Sequence, residues 1–139
     1  MTNKKIRNLI PGILAGLITY SVVGKLGLYL LQISWADYAL HSKDKSFTVE
    51  MLLSRLFIAL LAAIMASISA AKIENDGRKS VWFVGTTVFC VGSYIHLITI
   101  VWIQYPIWYH FAFLLPIIPT IGLSHYIFSK RKNIKNTGS

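Results

Sequence analysis

Acid is what this chain has least of. Five of its 139 residues are aspartate or glutamate, against fourteen lysines and arginines, for a formal net charge of +9. The five are Asp37, Asp44, Glu50, Glu74 and Asp76, and none lies within an apolar run, the nearest being Glu50 at a boundary. A carboxylate-driven cation exchanger or proton-coupled drug carrier alternates ion and substrate on an acid inside the membrane, so that class is disfavoured. Cysteine is nearly absent as well: Cys90 stands alone, which excludes an internal disulfide and any paired-thiol redox chemistry. There is no Gly-rich phosphate loop, H-E-x-x-H, nucleophile elbow or clustered acid pair, so no catalytic residue is assigned. Only 14% of residues are charged, and no polar stretch is long enough for a soluble catalytic module.

What is present is apolar sequence, 55% of the chain. It falls into four runs, about 9–33, 51–71, 81–103 and 107–128. Each is near or above the roughly 20 residues that cross a hydrocarbon core as helix. The first run follows Lys4, Lys5 and Arg7, but it is long, contains Lys25 and offers no small-x-small cleavage site, so it reads as a retained span. Pro11 is expected in its first helical turn, and the Gly12/Gly16 step reads as ordinary close helix packing. The segment KIENDGRKS, 72–80, reads as a polar hairpin, Pro116 and Pro119 as a packed bend, and His125 as an interfacial residue.

The position of the basic residues argues against nucleic acid. Lys4, Lys5 and Arg7 precede the first run, Lys72, Arg78 and Lys79 separate the second and third, and Lys130, Arg131, Lys132 and Lys135 follow the fourth. The other side has only Lys43 and Lys45, set among Asp37, Asp44 and Glu50. By the positive-inside rule both termini are cytoplasmic, and loops 34–50 and 104–106 face outward. The tail, 129–139, then serves orientation and touches anionic lipid.

Four basic side chains, one per span, fall in the outer third of the expected bundle: Lys25, Arg55, His96 and His110. Lys25 lies about eight residues, or roughly 12 Å, below the outer end of its span, and either snorkels or sits in a polar pocket. Arg55 shares a stripe with Ala59, Ala62, Ala66 and Ser69, so it faces neighbouring helices, with Glu50, Asp37 or an anionic ligand as its expected partner. His96 follows Gly85 and Gly92 on a small-residue face, about seven residues below an outer end at Ile103. Trp102, Tyr105, Trp108 and Tyr109 are the expected aromatic walls. A basic, aromatic layer suits an anion, a lipid headgroup or a quinone-like ring. His96 and His110 also allow haem or metal, whereas His41 and Asp37, spaced i, i+4, are too few for a metal site.

The stretches FTVEMLLSRL (47–56) and WIQYPIWYHFAFLLPIIP (102–119) resemble a pattern found in small four-span bacterial membrane proteins of uncharacterised function. That resemblance implies the architecture and attaches no activity or site residue. The small multidrug exporters rely on an acid in their first span, where this chain has Lys25, and the motifs of the membrane glutathione transferases are not evident.

The sequence therefore predicts an all-α, integral membrane four-helix bundle, up-down-up-down with both termini inside, in a bacterial inner membrane. Its expected role is non-enzymatic. An outward-facing pocket of Lys25, Arg55, His96, His110, Trp102 and Trp108 binds or passes an anionic or amphipathic small molecule. One alternative is a structural or accessory subunit that forms homo-oligomers or docks a larger membrane partner. A second is a haem- or metal-binding protein using His96 and His110. Lipid or isoprenoid chemistry with His110 or His96 as general base is the remaining enzymatic option.

Overall fold

The structure, a computed structural model, describes residues 2–74, 78–123 and 126, with the side chains of 2–7 and 78 excepted. All its regular elements are helical. α1 runs Thr2–Ser34, α2 Ala36–Asp44, α3 Val49–Glu74 and α4 Arg78–Ser93. A π-turn, Tyr94–Ile98, ends α4, and α5 (Val101–Gln104) and α6 (Ile107–Leu114) follow. After a turn at 115–116 the chain is helical again over 117–123.

Three stretches are long and apolar enough to cross a membrane: Asn8–Ser34, Val49–Glu74 and Lys79–Ile98. The apolar helix that follows, Ile107–Leu123, is shorter. Residues 75–77, His125 and the basic tail, 129–139, lie outside the described residues.

Two expected boundaries move. α1 begins at Thr2, so Pro11 is inside the helix rather than in its first turn. The carbonyl it frees belongs to residue 7, in the polar leading segment, where water can take the missing hydrogen bond. The third apolar run ends as regular helix at Ile98, not Ile103. Thr99 is extended (φ −88°, ψ 175°); its hydroxyl donates to the Ile95 carbonyl and accepts from the Val101 N–H at 3.3 Å, closing one helix and opening the next. The Pro116 and Pro119 region is interrupted at 115–116, because each proline removes one helical donor. The Thr120 N–H still bonds the Pro116 carbonyl at 2.9 Å.

Packing follows the rules of lipid rather than water. Ile10, Leu14, Ile18, Val22 and Leu26 step along the exposed face of α1, Ile18 being 62% exposed. The buried side is made of small residues. Ala63, Ala66, Ala70 and Ala71 of α3 meet Val81 and Val84 of α4 and Ile117 and Ile121 beyond α6. In a bilayer the tails are as apolar as leucine, so helices associate through close backbone approach, which small residues permit. Gly16 makes such an approach: a Cβ there would lie 2.6 Å from the Val84 Cγ2 and 3.3 Å from the Ala66 carbonyl.

Hydrogen bonds fix the seams. Ser67 Oγ donates to the Ile121 carbonyl and Ser80 Oγ to the Ala70 carbonyl, each at 3.2 Å. The Ser80 N–H, in the first turn of α4, donates to Glu74 Oε2 at 2.8 Å. The α3 start is marked by Thr48, whose hydroxyl accepts from the Met51 N–H at 3.4 Å.

α2 is more than a solvated connection. It folds its Tyr38 side chain inward, 1% exposed, against Trp35 and Phe47. Its end is turned by Asp44, whose Oδ1 accepts from the Ser46 N–H (3.2 Å) and hydroxyl (2.6 Å). Lys45 there adopts the left-handed conformation, φ 63°.

Candidate functional site

Arg55 lies in the second turn of α3. Its Nη1 donates to the Tyr38 hydroxyl at 3.1 Å and its Nε to the Tyr109 hydroxyl at 3.4 Å. Its guanidinium carbon stands 4.7 Å from the Phe47 ring centre and 5.5 Å from that of Tyr105. Glu50 and Asp37, the partners expected from sequence, are both exposed, and neither carboxylate bonds it. Glu50 is five residues earlier on α3, about 140° around the helix. Tyr38, not Asp37, is the α2 residue that turns inward. Among the described residues the guanidinium therefore has phenols and ring faces for partners and no counter-ion. Ring faces attract a cation at this range but leave its charge unneutralised.

His96 lies in the π-turn, two residues from its end and 8% exposed. The sequence placed it seven residues down a continuous helix; neither the π-turn nor the break at Thr99 has a period that betrays it. Its Nδ1 is 3.0 Å from the Nδ1 of His110, which is fully buried. The other nitrogen of His110, Nε2, lies 3.2 Å from the Tyr105 carbonyl. A carbonyl only accepts, so Nε2 carries a proton, and in neutral His110 the Nδ1 is then an acceptor. The hydrogen between the rings consequently belongs to His96 Nδ1, which leaves His96 Nε2 as a lone pair. No buried side-chain nitrogen or oxygen among the described residues lacks a partner, so this unbonded atom is not sealed in but opens toward space.

His96 lines a cleft of about 360 Å³ together with Lys25 and Tyr20 from α1, Arg55 from α3, and Tyr105 and Tyr109 around the start of α6. Three of the six side chains expected at the site, Lys25, Arg55 and His96, thus converge on one cavity. The other three do not line it. His110 stands behind His96. Trp102 stacks on His110 at 4.8 Å and 25°, and Trp108 meets Tyr109 edge-on at 6.0 Å. Tyrosine and phenylalanine rings line this cleft, while Trp102 of α5 lies on His110.

Sequence reasoning missed Tyr20, Tyr38 and Phe113. Phe113 stacks on His96 at 4.3 Å. One signal was available: Ser21 and Lys25 are spaced i, i+4, with Tyr20 and Gly24 beside them on the same side of α1.

Both ring nitrogens of His110 are engaged in this arrangement. The His96 and His110 Nδ1 atoms face each other at 3.0 Å, and the remaining His110 nitrogen is held by a carbonyl. No group of three or more His, Cys, Asp or Glu side chains able to hold a metal occurs among the described residues. His41 Nδ1 donates to the Asp37 backbone carbonyl at 2.8 Å, a bond within α2.

At the level fold and cavity define, the described residues are all-helical, with three helices long and apolar enough to cross a membrane, and carry a basic, aromatic cleft. No protein-family model, curated protein or solved structure matches it.

Proposed function

We propose that the chain is an integral membrane four-helix bundle of the bacterial inner membrane, with both termini cytoplasmic, and that its outward-facing cleft binds or passes an anionic, amphipathic small molecule. Ile107–Leu123 is the described part of the fourth span. At about 1.5 Å per residue its seventeen residues reach roughly 25 Å, and the apolar run continues in the sequence to 128.

One observation carries the binding role. Arg55 brings a permanent charge into the helix bundle with only neutral partners among the described residues, at a cavity edged by Lys25 and His96. An anion in that cavity supplies the missing counter-charge, and a guanidinium matches it with two parallel N–H groups. The polar edge and apolar walls suit a molecule with one charged end.

The second reading, a structural or accessory subunit, draws on the same arginine. Arg55 ties Tyr38 of α2 and Tyr109 of α6 to α3, which is what a structural staple does.

Native mass spectrometry of the protein in mild detergent, with Arg55→Lys and Arg55→Ala variants beside it, separates the two. A binding site gives a stoichiometric anionic adduct on the parent chain, and Arg55→Lys lowers its occupancy about tenfold, since lysine keeps the charge and loses the fork. A staple gives no such adduct and a loss of stability in both variants. An adduct that survives both substitutions sinks the proposed site.

A further inference from the structure

A second cleft, also about 360 Å³, lies along the seam of α1 and α4. It shares Tyr20, Ser21, Ile95, His96 and Phe113 with the first, so the two clefts adjoin at these residues. Their characters differ. The first has Lys25 and Arg55; the second has no charged lining residue and is walled by Leu17, Val88, Val91 and Phe113, with Thr87 at its far end. From His96 to Thr87 is nine residues of helix, roughly 13 Å.

We infer that the two lobes form one site for a single-chain alkyl phosphate, the phosphate between Arg55, Lys25 and His96 and the tail lying between α1 and α4. This rests on the anion-binding reading above and names the ligand class of that cleft. The tail assignment follows from the uncharged lining of the second lobe and from its adjoining the first at the His96 and Phe113 rings. A single alkyl chain is what this uncharged second lobe is proposed to take.

The head assignment follows from the hydrogen-bonding state of His96. Arg55 and Lys25 call for negative charge, while the His96 Nε2 lone pair calls for a donor. A phosphate monoester near its second ionisation, at about pH 6, carries charge and an O–H on one group. Sulfate carries charge alone, and a carboxylic acid has an O–H only when it is neutral. The phosphate O–H donates to His96 Nε2 while the remaining oxygens accept from Arg55 and Lys25. His110, its Nε2–H held by the Tyr105 carbonyl, keeps His96 in the required tautomer.

The test is equilibrium binding to the full chain in phosphatidylcholine nanodiscs near pH 6, read by intrinsic tryptophan fluorescence and by calorimetry. The probes are dodecyl phosphate, dodecyl sulfate and inorganic phosphate. Dodecyl phosphate is expected to bind about 100-fold or more tighter than inorganic phosphate and about tenfold tighter than dodecyl sulfate. Arg55→Gln weakens both dodecyl probes. Thr87→Phe, which fills the second lobe and leaves the first untouched, reduces dodecyl phosphate affinity about tenfold and leaves inorganic phosphate unchanged. His96→Gln checks the head separately, through the phosphate-to-sulfate ratio.

Equal affinity for dodecyl phosphate and inorganic phosphate, or indifference to Thr87→Phe in a folded variant, overturns the tail assignment while the anion cleft stands. Equal affinity for phosphate and sulfate overturns the phosphate assignment. Absence of Arg55-dependent binding for all three probes removes the anion-binding reading itself.

Discussion

At the scale of single residues, the polar groups of this chain are arranged by what they lack. Arg55 has no carboxylate among the described residues, so two phenols and two ring faces accommodate it. Removing a phenol tests that directly. Tyr38→Phe leaves the Arg55 Nη1 without its bond and should cost about 1–2 kcal/mol in detergent unfolding experiments, because the bond is charge-assisted yet only part-buried. Asp44 shows the opposite arrangement in water. The Ser46 hydroxyl and N–H bonding to its Oδ1 hold its carboxyl below the ordinary value of 3.8. A depressed carboxyl favours the folded turn above its ordinary value and loses that contribution as pH falls through its lowered one. Hydrogen exchange at the Ser46 amide should therefore quicken below pH about 3.8, relative to the intrinsic rate. Asp44→Asn, which keeps an acceptor and removes the titration, should flatten that dependence. An unchanged pH profile in the variant would refute the assignment.

At the scale of elements, α1 offers two glycines in contrasting surroundings. At Gly16 a Cβ would meet the Val84 side chain at 2.6 Å; at Gly24 it would meet nothing within 4 Å. Alanine improves helix propensity by up to about 1 kcal/mol at either position. At Gly16 that gain competes with overpacking of about 1–3 kcal/mol against a buried, β-branched neighbour. Gly16→Ala should thus be destabilising and Gly24→Ala neutral or stabilising, read as paired thermal unfolding midpoints. The reverse order would place the α1 contact on a different face. The π-turn belongs to this scale too. By widening the last turn of α4 it brings His96 to His110 across to α6, and Thr99 stops the helix immediately afterwards.

For the whole molecule, charge distribution and burial point the same way. Large apolar side chains cover the outside of α1, as they do not in a water-soluble bundle, while Gly12 and Gly16 are buried beside the inward Ile13, Leu17 and Tyr20. The proposed orientation puts α2 outside and the α3–α4 connection inside. With Cys90→Ala as background, single cysteines at Lys43 and Lys79 should differ in intact spheroplasts. A membrane-impermeant maleimide should label the first and reach the second only after permeabilisation. Equal labelling at both would overturn the orientation. Both side chains are exposed, so burial does not confound the comparison.

Helical class, the apolar stretches and the basic residues on their flanks were determined by sequence alone, because length, hydropathy and charge are local quantities. So was the inward stripe of α3, since a period near 3.6 fixes which residues share a face. Lys25, Arg55 and His96 were legible as costly polar groups in apolar surroundings, each conspicuous by itself. Tertiary structure decided what stands beside them. Tyr38 reaches Arg55 only because α2 folds back, and His96 meets His110 only through a π-turn and a break that leave no periodic trace. Trp102 lies on His110 instead of lining the cavity. Tyrosines and tryptophans look alike to composition, whereas a side chain's direction depends on the accumulated turn of the backbone before it, and that is settled by packing between segments distant in the chain.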